Sequence, residues 1–195
     1  MKLSNSITLL RLFLVIPIMY CILLRTFISL SCAFILYVLA LLTDYLDGYF
    51  AKKTSGVSQF GKFFDPLTDK IVTLSFFVCF VTIDIIPAWI FMVLITREFV
   101  ISCLALIIEK KDGLLQFEKG AQFKSLSQIC AVLIILILMI VEAAFGYFNH
   151  HLHLQIMVFV MVSIQIICWF TMIFAVISGY LYLMRNNIKD ILKKA

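Results

Sequence analysis

The chain alternates between long apolar stretches and short polar connections. Six of these stretches are apolar enough and, at about 20 residues, long enough to be read as membrane-spanning helices. They cover residues 8–24, 27–50, 61–82, 86–108, 123–147 and 154–184. The strands of a transmembrane barrel would alternate polar and apolar residues, and a stretch such as ICAVLIILILMIV does not. The pattern therefore predicts an all-α integral membrane protein with six transmembrane helices.

Composition supports this interpretation. Hydrophobic residues make up 64% of the 195 positions and charged residues 14%, whereas soluble domains are typically about 45–50% apolar and about 25% charged. The length allows one compact membrane domain, covering residues 1–195, and no sizeable soluble one. The six cysteines occur singly, without a C-x-x-C pair, which favours packed thiols over disulfides or a zinc site.

The basic residues predict the orientation of the bundle. If the N-terminus is cytoplasmic, fourteen of the sixteen Lys and Arg residues fall on the cytoplasmic side; Arg25 lies opposite, and Arg97 lies within the fourth span. This bias fits the positive-inside rule. Both termini and the polar segment 43–70 are thus expected to face the cytoplasm from the cell (inner) membrane. A basic rim against anionic headgroups explains the net charge of +5 without nucleic acid.

The polar segment TDYLDGYFAKKTSGVSQFGKFFDPLTDK, residues 43–70, carries four acids. Asp44 and Asp47 are spaced i, i+3 at the end of the second span, and Asp65 and Asp69 are spaced i, i+4 at the start of the third. Pro66 favours a place for Asp65 in the first turn of that span or at its cap. The short connection makes the two spans antiparallel neighbours, so the four carboxylates are predicted to converge.

Converging carboxylates repel one another unless positive charge joins them. A set of oxygen ligands without His or Cys selects hard cations, and four acids suit two Mg²⁺ or Mn²⁺ ions. Two such ions are apt for displacement at phosphorus. Gly48 and Gly61 leave the helix faces bare, so that a nucleotide can approach the backbone. The alternative is that the acids are loop and cap residues paired with neighbouring lysines, namely Lys52, Lys53, Lys62 and Lys70.

The same segment resembles a known signature. Asp44-x2-Asp47-Gly48-x2-Ala51-Lys52-x8-Gly61-x3-Asp65-x3-Asp69 matches the pattern D-x2-D-G-x2-A-R-x8-G-x3-D-x3-D of the CDP-alcohol phosphatidyltransferases in all its spacings. The single departure is Lys52, where the family usually has Arg. The layout of six spans is also similar to that family.

The resemblance implies transfer of a phosphatidyl group from a CDP-activated lipid to an alcohol, with release of CMP. It implies that Asp44, Asp47, Asp65 and Asp69 surround two divalent cations. Asp44 and Asp65 would bridge the cations, and Asp69 would also be the base that accepts the proton of the acceptor hydroxyl. A homodimer is implied by the family alone.

The resemblance also implies contacts to CDP-diacylglycerol. The NSIT stretch is similar to an Asn-x-x-Thr element of the family, although Asn5 can also be a plain helix-start residue. Lysine at position 52 offers a point charge instead of the arginine fork, so a looser phosphate contact is expected. The implied contact residues are Asn5, Thr8, Gly48, Lys52, Ser58 and Gly61.

Two further stretches bear on the acceptor. TREFVIS places Arg97 and Glu98 inside the fourth span, where charges mark a site by default. It resembles an Arg-Glu element of family members that use glycerol 3-phosphate; the alternative is a structural ion pair between helices. KGAQFKSLSQI resembles a Gly-Lys-x-Lys-Thr-x-x-Gln element of the same members, with Lys124, Ser125 and Gln128 in matching places. The departures are Ala105, Ala121 and Gln122, where those members carry Arg, Gly and Lys.

The predicted acceptor contacts are therefore Arg97 and Lys124, and the predicted acceptor is glycerol 3-phosphate, which would give phosphatidylglycerol phosphate. Phosphatidylglycerol, as in a cardiolipin synthase, and an inositol phosphate are the alternatives within the family. A small cation transporter is the alternative from another class. Transporters hold their polar residues near the membrane midplane, whereas these acids gather at one edge. His150 and His153 are interpreted as part of an interfacial loop.

Overall fold

The computed structural model describes residues 3–53, 59–112, 119–148 and 150–185, with side chains at 12–43, 68, 70–103, 126–146, 154–181 and 184. All regular structure in these ranges is α-helical. The helices are α1 (Leu3–Leu24), α2 (Phe27–Lys53), α3 (Gln59–Thr82), α4 (Ala88–Asp112), α5 (Lys119–Phe148) and α6 (His150–Arg185). The all-α prediction is confirmed, and each helix covers one predicted segment to within five residues at either end. His150 and His153 lie in the first turn of α6, so their interpretation as part of a loop is wrong.

The start of α3 differs from the sequence expectation. The helix begins at Gln59, six residues before Asp65, so the prediction that Asp65 lies in the first turn or at the cap is wrong. Pro66 lies inside the helix, as Pro17 does in α1. Proline is tolerated within helices that pack against other helices in a membrane, because neighbouring groups satisfy the carbonyl that loses its bond.

The connection from α1 to α2 is a tight turn with a reciprocal cap. Arg25 adopts the left-handed conformation, with φ of 51°, and ends α1. The Ser29 amide donates to Thr26 Oγ1 over 3.2 Å, and the Thr26 amide donates to Ser29 Oγ over 3.1 Å. Serine thus performs the part that Glu or Gln has in a capping box. The helices it joins pack against each other.

The connection from α3 to α4 is a Schellman turn. The Asp84 amide donates to the Val81 carbonyl and the Ile85 amide to the Phe80 carbonyl, each over 3.0 Å. Asp84 has φ of 58°, and Phe80 and Ile85 are buried on either side of it. These are the two bonds and the apolar contact that define the motif. Asp84 therefore ends α3 as the left-handed residue of this turn.

Helix α3 supplies the centre of the core. Phe76, Phe77 and Phe80 are completely buried, and α3 packs against α1, α4 and α5. Around the bundle, neighbouring helices follow the order α1, α2, α5, α6, α4 and α3, which returns to α1. All six cysteines are free in the structure.

The outer surface is apolar. Large side chains such as Phe13, Ile28, Phe99 and Phe170 are each at least two-thirds exposed, and a water-soluble monomer does not expose apolar patches of this extent. Two segments, Leu126–Gly146 of α5 and Leu154–Leu181 of α6, are long and apolar enough to cross a membrane. Only 28% and 22% of these segments are buried, whereas the core helix of a soluble protein would be mostly covered. This is the surface of a membrane protein.

Candidate active site

The four predicted metal ligands lie on two helices. Asp44 and Asp47 belong to α2, and Asp65 and Asp69 belong to α3. The helical spacing predicted for each pair is therefore confirmed, since both helices run without interruption through these positions. The four carboxylates themselves lie outside the described side chains.

A ring contact gives the register between these two helices. Tyr37 of α2 and Phe76 of α3 pack edge to face, with centroids 4.9 Å apart and an interplanar angle of 77°. Asp44 follows Tyr37 by seven residues, and Asp69 precedes Phe76 by seven. Seven residues are nearly two whole turns, or about 10.5 Å. If α2 and α3 run antiparallel, as their short connection predicts, the backbones at Asp44 and Asp69 would stand at about the same level. Both helices pack most extensively against α1, so the ring contact between them is not part of a broad α2–α3 interface.

The other predicted contact residues that the structure describes lie near the ends of four helices. Asn5 and Thr8 lie near the start of α1, Gly48 and Lys52 near the end of α2, and Gly61 near the start of α3. Lys124 lies in the second turn of α5. Their side chains lie outside those described, and Ser58 lies outside the described residues.

Arg97 forms the centre of a polar cluster within the bundle. Its Nε donates to the Ala175 carbonyl of α6 over 2.9 Å and its Nη2 to Ser178 Oγ over 3.3 Å. Its Nη1 pairs with Glu98 Oε1 at 3.0 Å, with the two side chains 10% and 8% exposed. The ion pair joins neighbours on α4, while the bonds to α6 go to neutral groups. This differs from the alternative of an ion pair between helices. Three of the five N–H donors of the guanidinium thus have described partners.

Glu98 extends the cluster to α5. Gln128 Nε2 donates to Glu98 Oε1 over 3.5 Å, and both residues are buried. A buried carboxylate is retained only where donors compensate for its lost hydration. Two donors on different helices therefore hold the Glu98 carboxylate in one place. The acceptor-binding role predicted for Arg97 stays a prediction.

Lys70 joins the cluster from α3, and the sequence predicts no such contact. Its ammonium donates to Ser102 Oγ of α4, and the Ser102 hydroxyl donates to the Glu98 carbonyl. Among the described partners of Lys70 there is no carboxylate, although Lys70 was a candidate partner for the neighbouring acids. Only two weak features of the sequence pointed to this contact. Lys70 directly follows Asp69, and Ser102 lies one helical turn after Glu98.

The approach of α6 to α4 depends on Gly179. A Cβ at this position would lie 3.1 Å from Ile101 Cδ1 and 3.2 Å from Arg97 Nε, closer than nearly all real contacts of a Cβ. Beside this point the two helices leave an open groove of about 540 Å³, lined by apolar side chains together with Thr96, Arg97 and Tyr180. The absence of a side chain at 179 allows α6 to present its carbonyl to Arg97.

Comparison with known proteins agrees with the signature. A family model described as CDP-alcohol phosphatidyltransferase matches residues 1–177. The chain is similar to the CDP-diacylglycerol–glycerol-3-phosphate 3-phosphatidyltransferase of Bacillus subtilis, with 31% identity covering 95% of each chain. The proteins of that name from Rickettsia felis and Treponema pallidum are 27% and 32% identical. The first match covers 93% of each chain, and the second covers 53% of this chain and 48% of the relative.

These matches confirm the resemblance that the eight-position signature indicates, and they replace the transporter alternative with a transferase. The match runs through five of the six helices and most of the last, and the Bacillus subtilis relative is aligned along almost its whole length. The chain therefore belongs to the CDP-alcohol phosphatidyltransferase family.

Proposed function

We propose that this enzyme transfers the phosphatidyl group of CDP-diacylglycerol to a hydroxyl of glycerol 3-phosphate, releasing CMP and forming phosphatidylglycerol phosphate. The observation that carries the proposal is the likeness to the Bacillus subtilis enzyme named for this reaction, over 95% of both chains. The full spacing of the family signature, from Asp44 to Asp69, supports the shared chemistry.

The acids fit a pair of divalent cations. All four candidate ligands offer oxygen, which suits Mg²⁺ or Mn²⁺, and the Tyr37–Phe76 contact supports a common level for Asp44 and Asp69. Bound there, the cations would supply positive charge at the phosphorus and at the leaving oxygen. Asp44, Asp47, Asp65 and Asp69 would hold them. Asp69 would also take the proton of the attacking hydroxyl.

The acceptor phosphate requires fixed positive charge near the metals, because glycerol 3-phosphate carries a dianion. Arg97 is the best described candidate, since Glu98, Ser178 and the Ala175 carbonyl orient its guanidinium. Lys124 of α5 is the second candidate. Charge-assisted contacts of this kind are the strong ones in phosphate recognition. The two residues would therefore decide between glycerol 3-phosphate and an uncharged acceptor.

For the whole molecule we propose six membrane-spanning helices, with both termini and the acidic site on the cytoplasmic side of the cell (inner) membrane. The apolar outer surface supports the spans, and the bias of Lys and Arg toward one side supports the orientation. CDP-diacylglycerol would then enter from the membrane and the soluble acceptor from the cytoplasm. A homodimer is proposed from family membership.

An acceptor panel tests the function. Purified protein in detergent is incubated with CDP-diacylglycerol and Mg²⁺ or Mn²⁺, and CMP release is measured with glycerol 3-phosphate, phosphatidylglycerol, inositol phosphate or serine. Release with glycerol 3-phosphate, together with a product that carries the phosphatidyl and glycerophosphate groups, is the expected result. Release with phosphatidylglycerol and none with glycerol 3-phosphate would replace the acceptor assignment while leaving the family chemistry in place.

Lys52 provides a test of the nucleotide contact. If its ammonium contacts the pyrophosphate, Lys52→Ala should raise the KM for CDP-diacylglycerol by about tenfold. Lys52→Arg should retain activity or lower that KM, because the guanidinium can form two parallel bonds to phosphate. The measurement is CMP release against CDP-diacylglycerol concentration at saturating glycerol 3-phosphate. An unchanged KM in the alanine variant would assign Lys52 to the solvated rim.

A further inference from the structure

The ammonium group of Lys70 forms a hydrogen bond to a neighbouring helix. Lysine side chains near the ends of membrane helices usually extend to water and headgroups. Here the ammonium instead donates to Ser102 Oγ on α4, and the side chain is partly buried. Burial of an ammonium against a neutral hydroxyl is costly, since an apolar side chain would fill the space without desolvating a charge. Packing alone therefore gives no reason for lysine at this position.

Ser102 has a defined orientation in this contact. Its single hydroxyl proton is donated to the Glu98 carbonyl, which leaves the oxygen lone pairs to accept from Lys70. The ammonium thus donates to the hydroxyl, and the hydroxyl donates to the carbonyl. A serine that bonds its own helix in this way cannot rotate without losing both contacts. The position of the Lys70 ammonium is fixed relative to the backbone of α4.

The contact links the helix that carries the proposed base, α3, to the helix that carries the proposed acceptor residue, α4. Lys70 directly follows Asp69, the proposed base, on α3. Glu98, whose carbonyl ends the Lys70–Ser102 chain, uses its carboxylate to hold Arg97, the proposed acceptor residue.

We propose that Lys70 and Ser102 are positioning residues for the transfer reaction, since their hydrogen bond sets the rotation and height of α3 against α4. The bond thereby sets the placement of Asp69 relative to Arg97. This inference rests on the proposed function, in which Asp69 receives the acceptor proton. Neither residue touches the reacting atoms in this role. The expected consequence is a loss in kcat, without a matching loss of substrate affinity.

A double-mutant cycle tests the proposal. Lys70→Met, which keeps the length of the side chain, Ser102→Ala and the combined variant are purified, and kcat and KM are measured for both substrates. Each single variant should lose about ten- to a hundredfold in kcat, since a misplacement of about 1 Å can cost up to about a hundredfold. Both KM values should stay within about twofold. The combined variant should be no slower than the slower single variant, because both changes remove the same bond.

A conservative variant and a control variant distinguish a positioning role of Lys70 and Ser102 from a general loss of protein stability. Ser102→Thr retains the hydroxyl and should restore most of the kcat lost in Ser102→Ala. Ser75→Ala is the matched control, since Ser75 Oγ also bonds the carbonyl four residues earlier, over 2.7 Å, but on the exposed side of α3. It should retain wild-type turnover. If Lys70→Met does not fold, the comparison of Ser102→Ala with Ser102→Thr still decides the outcome.

Two results would overturn the proposal. Losses in kcat that add up in the combined variant would show that Lys70 and Ser102 act independently. A raised KM for glycerol 3-phosphate in Lys70→Met alone would make Lys70 a direct phosphate ligand. The cycle uses whichever acceptor supports CMP release by the wild-type enzyme. An incorrect acceptor therefore shows in the wild type, and an incorrect positioning role shows only in the variants.

Discussion

The Asp69→Asn variant is expected to lose about 10²–10⁴-fold in the rate of CMP release, the range that general-base assistance contributes. Asparagine keeps the size of the side chain and one oxygen, but it cannot accept the proton of the acceptor hydroxyl. The KM for CDP-diacylglycerol should change little, since the nucleotide contacts are assigned to other residues. Steady-state CMP release at varied concentrations of each substrate measures both quantities.

Asp84→Asn is the matched control for this variant. Asp84 lies in the turn at the opposite end of α3, where asparagine tolerates the left-handed φ of 58° equally well. It should retain wild-type turnover. Chelation of divalent cations should abolish CMP release in the wild type, and added Mg²⁺ or Mn²⁺ should restore it. Full activity of Asp69→Asn would remove Asp69 from the mechanism, and activity that survives chelation would remove the cations.

Arg97→Ala is expected to raise the KM for glycerol 3-phosphate by about ten- to a hundredfold. A charge-assisted contact to a phosphate is worth roughly 1.5–3 kcal/mol, and each 1.4 kcal/mol corresponds to about a factor of ten in affinity. The KM for CDP-diacylglycerol should stay nearly the same. An acceptor without a phosphate should be unaffected, so the ratio between acceptors is the decisive measurement.

Arg97→Ala requires a companion variant, because Arg97 also has structural contacts. Arg97 is a cationic neighbour of the buried Glu98 carboxylate and a donor to the Ala175 carbonyl. Its removal therefore also disturbs the contact between α4 and α6. The combined variant Arg97→Ala with Glu98→Gln removes both charges and should show the same rise in KM with less loss of stability. Thermal unfolding in detergent measures that difference.

Ser178→Ala provides the control for the contact with α6. It removes one partner of the guanidinium, at 3.3 Å, and leaves the charge of Arg97 in place. A small change in the KM for glycerol 3-phosphate is expected. If Ser178→Ala raises this KM as much as Arg97→Ala does, Arg97 acts by holding α4 to α6, and its proposed contact with the acceptor phosphate is wrong.

The helices were predictable because apolar runs of this length have few other structures available to them. In hydrocarbon, every backbone amide must find a partner within the protein, which favours helices wherever the side chains are apolar. The beginnings of helices were less predictable. α3 starts at Gln59, before its apolar run, because polar residues at the membrane edge can continue a helix as easily as leave it.

The family signature was recognisable for a different reason. Acids are costly near hydrocarbon. Four of them at helical spacing around Gly48 and Gly61 therefore stand out in an apolar sequence and indicate a functional site. Arg97 was conspicuous for the same reason. The partners of Arg97 were not, since Ala175 and Ser178 lie 78 and 81 residues away and belong to an apolar segment with no distinguishing motif.

By itself, the sequence determined the six helices, the family signature and the identity of the residues proposed to carry the reaction. Tertiary structure alone decided the Tyr37–Phe76 register of α2 and α3, the link from Lys70 to Ser102, and the contact of Arg97 with α6. The physical reason is that the apolar pattern of these helices does not determine how they pack. A helix that is apolar on every side shows no preferred inward face in its residue pattern. Its rotation and neighbours are set by side-chain shape, such as the missing Cβ of Gly179, and by polar partners distant in the chain.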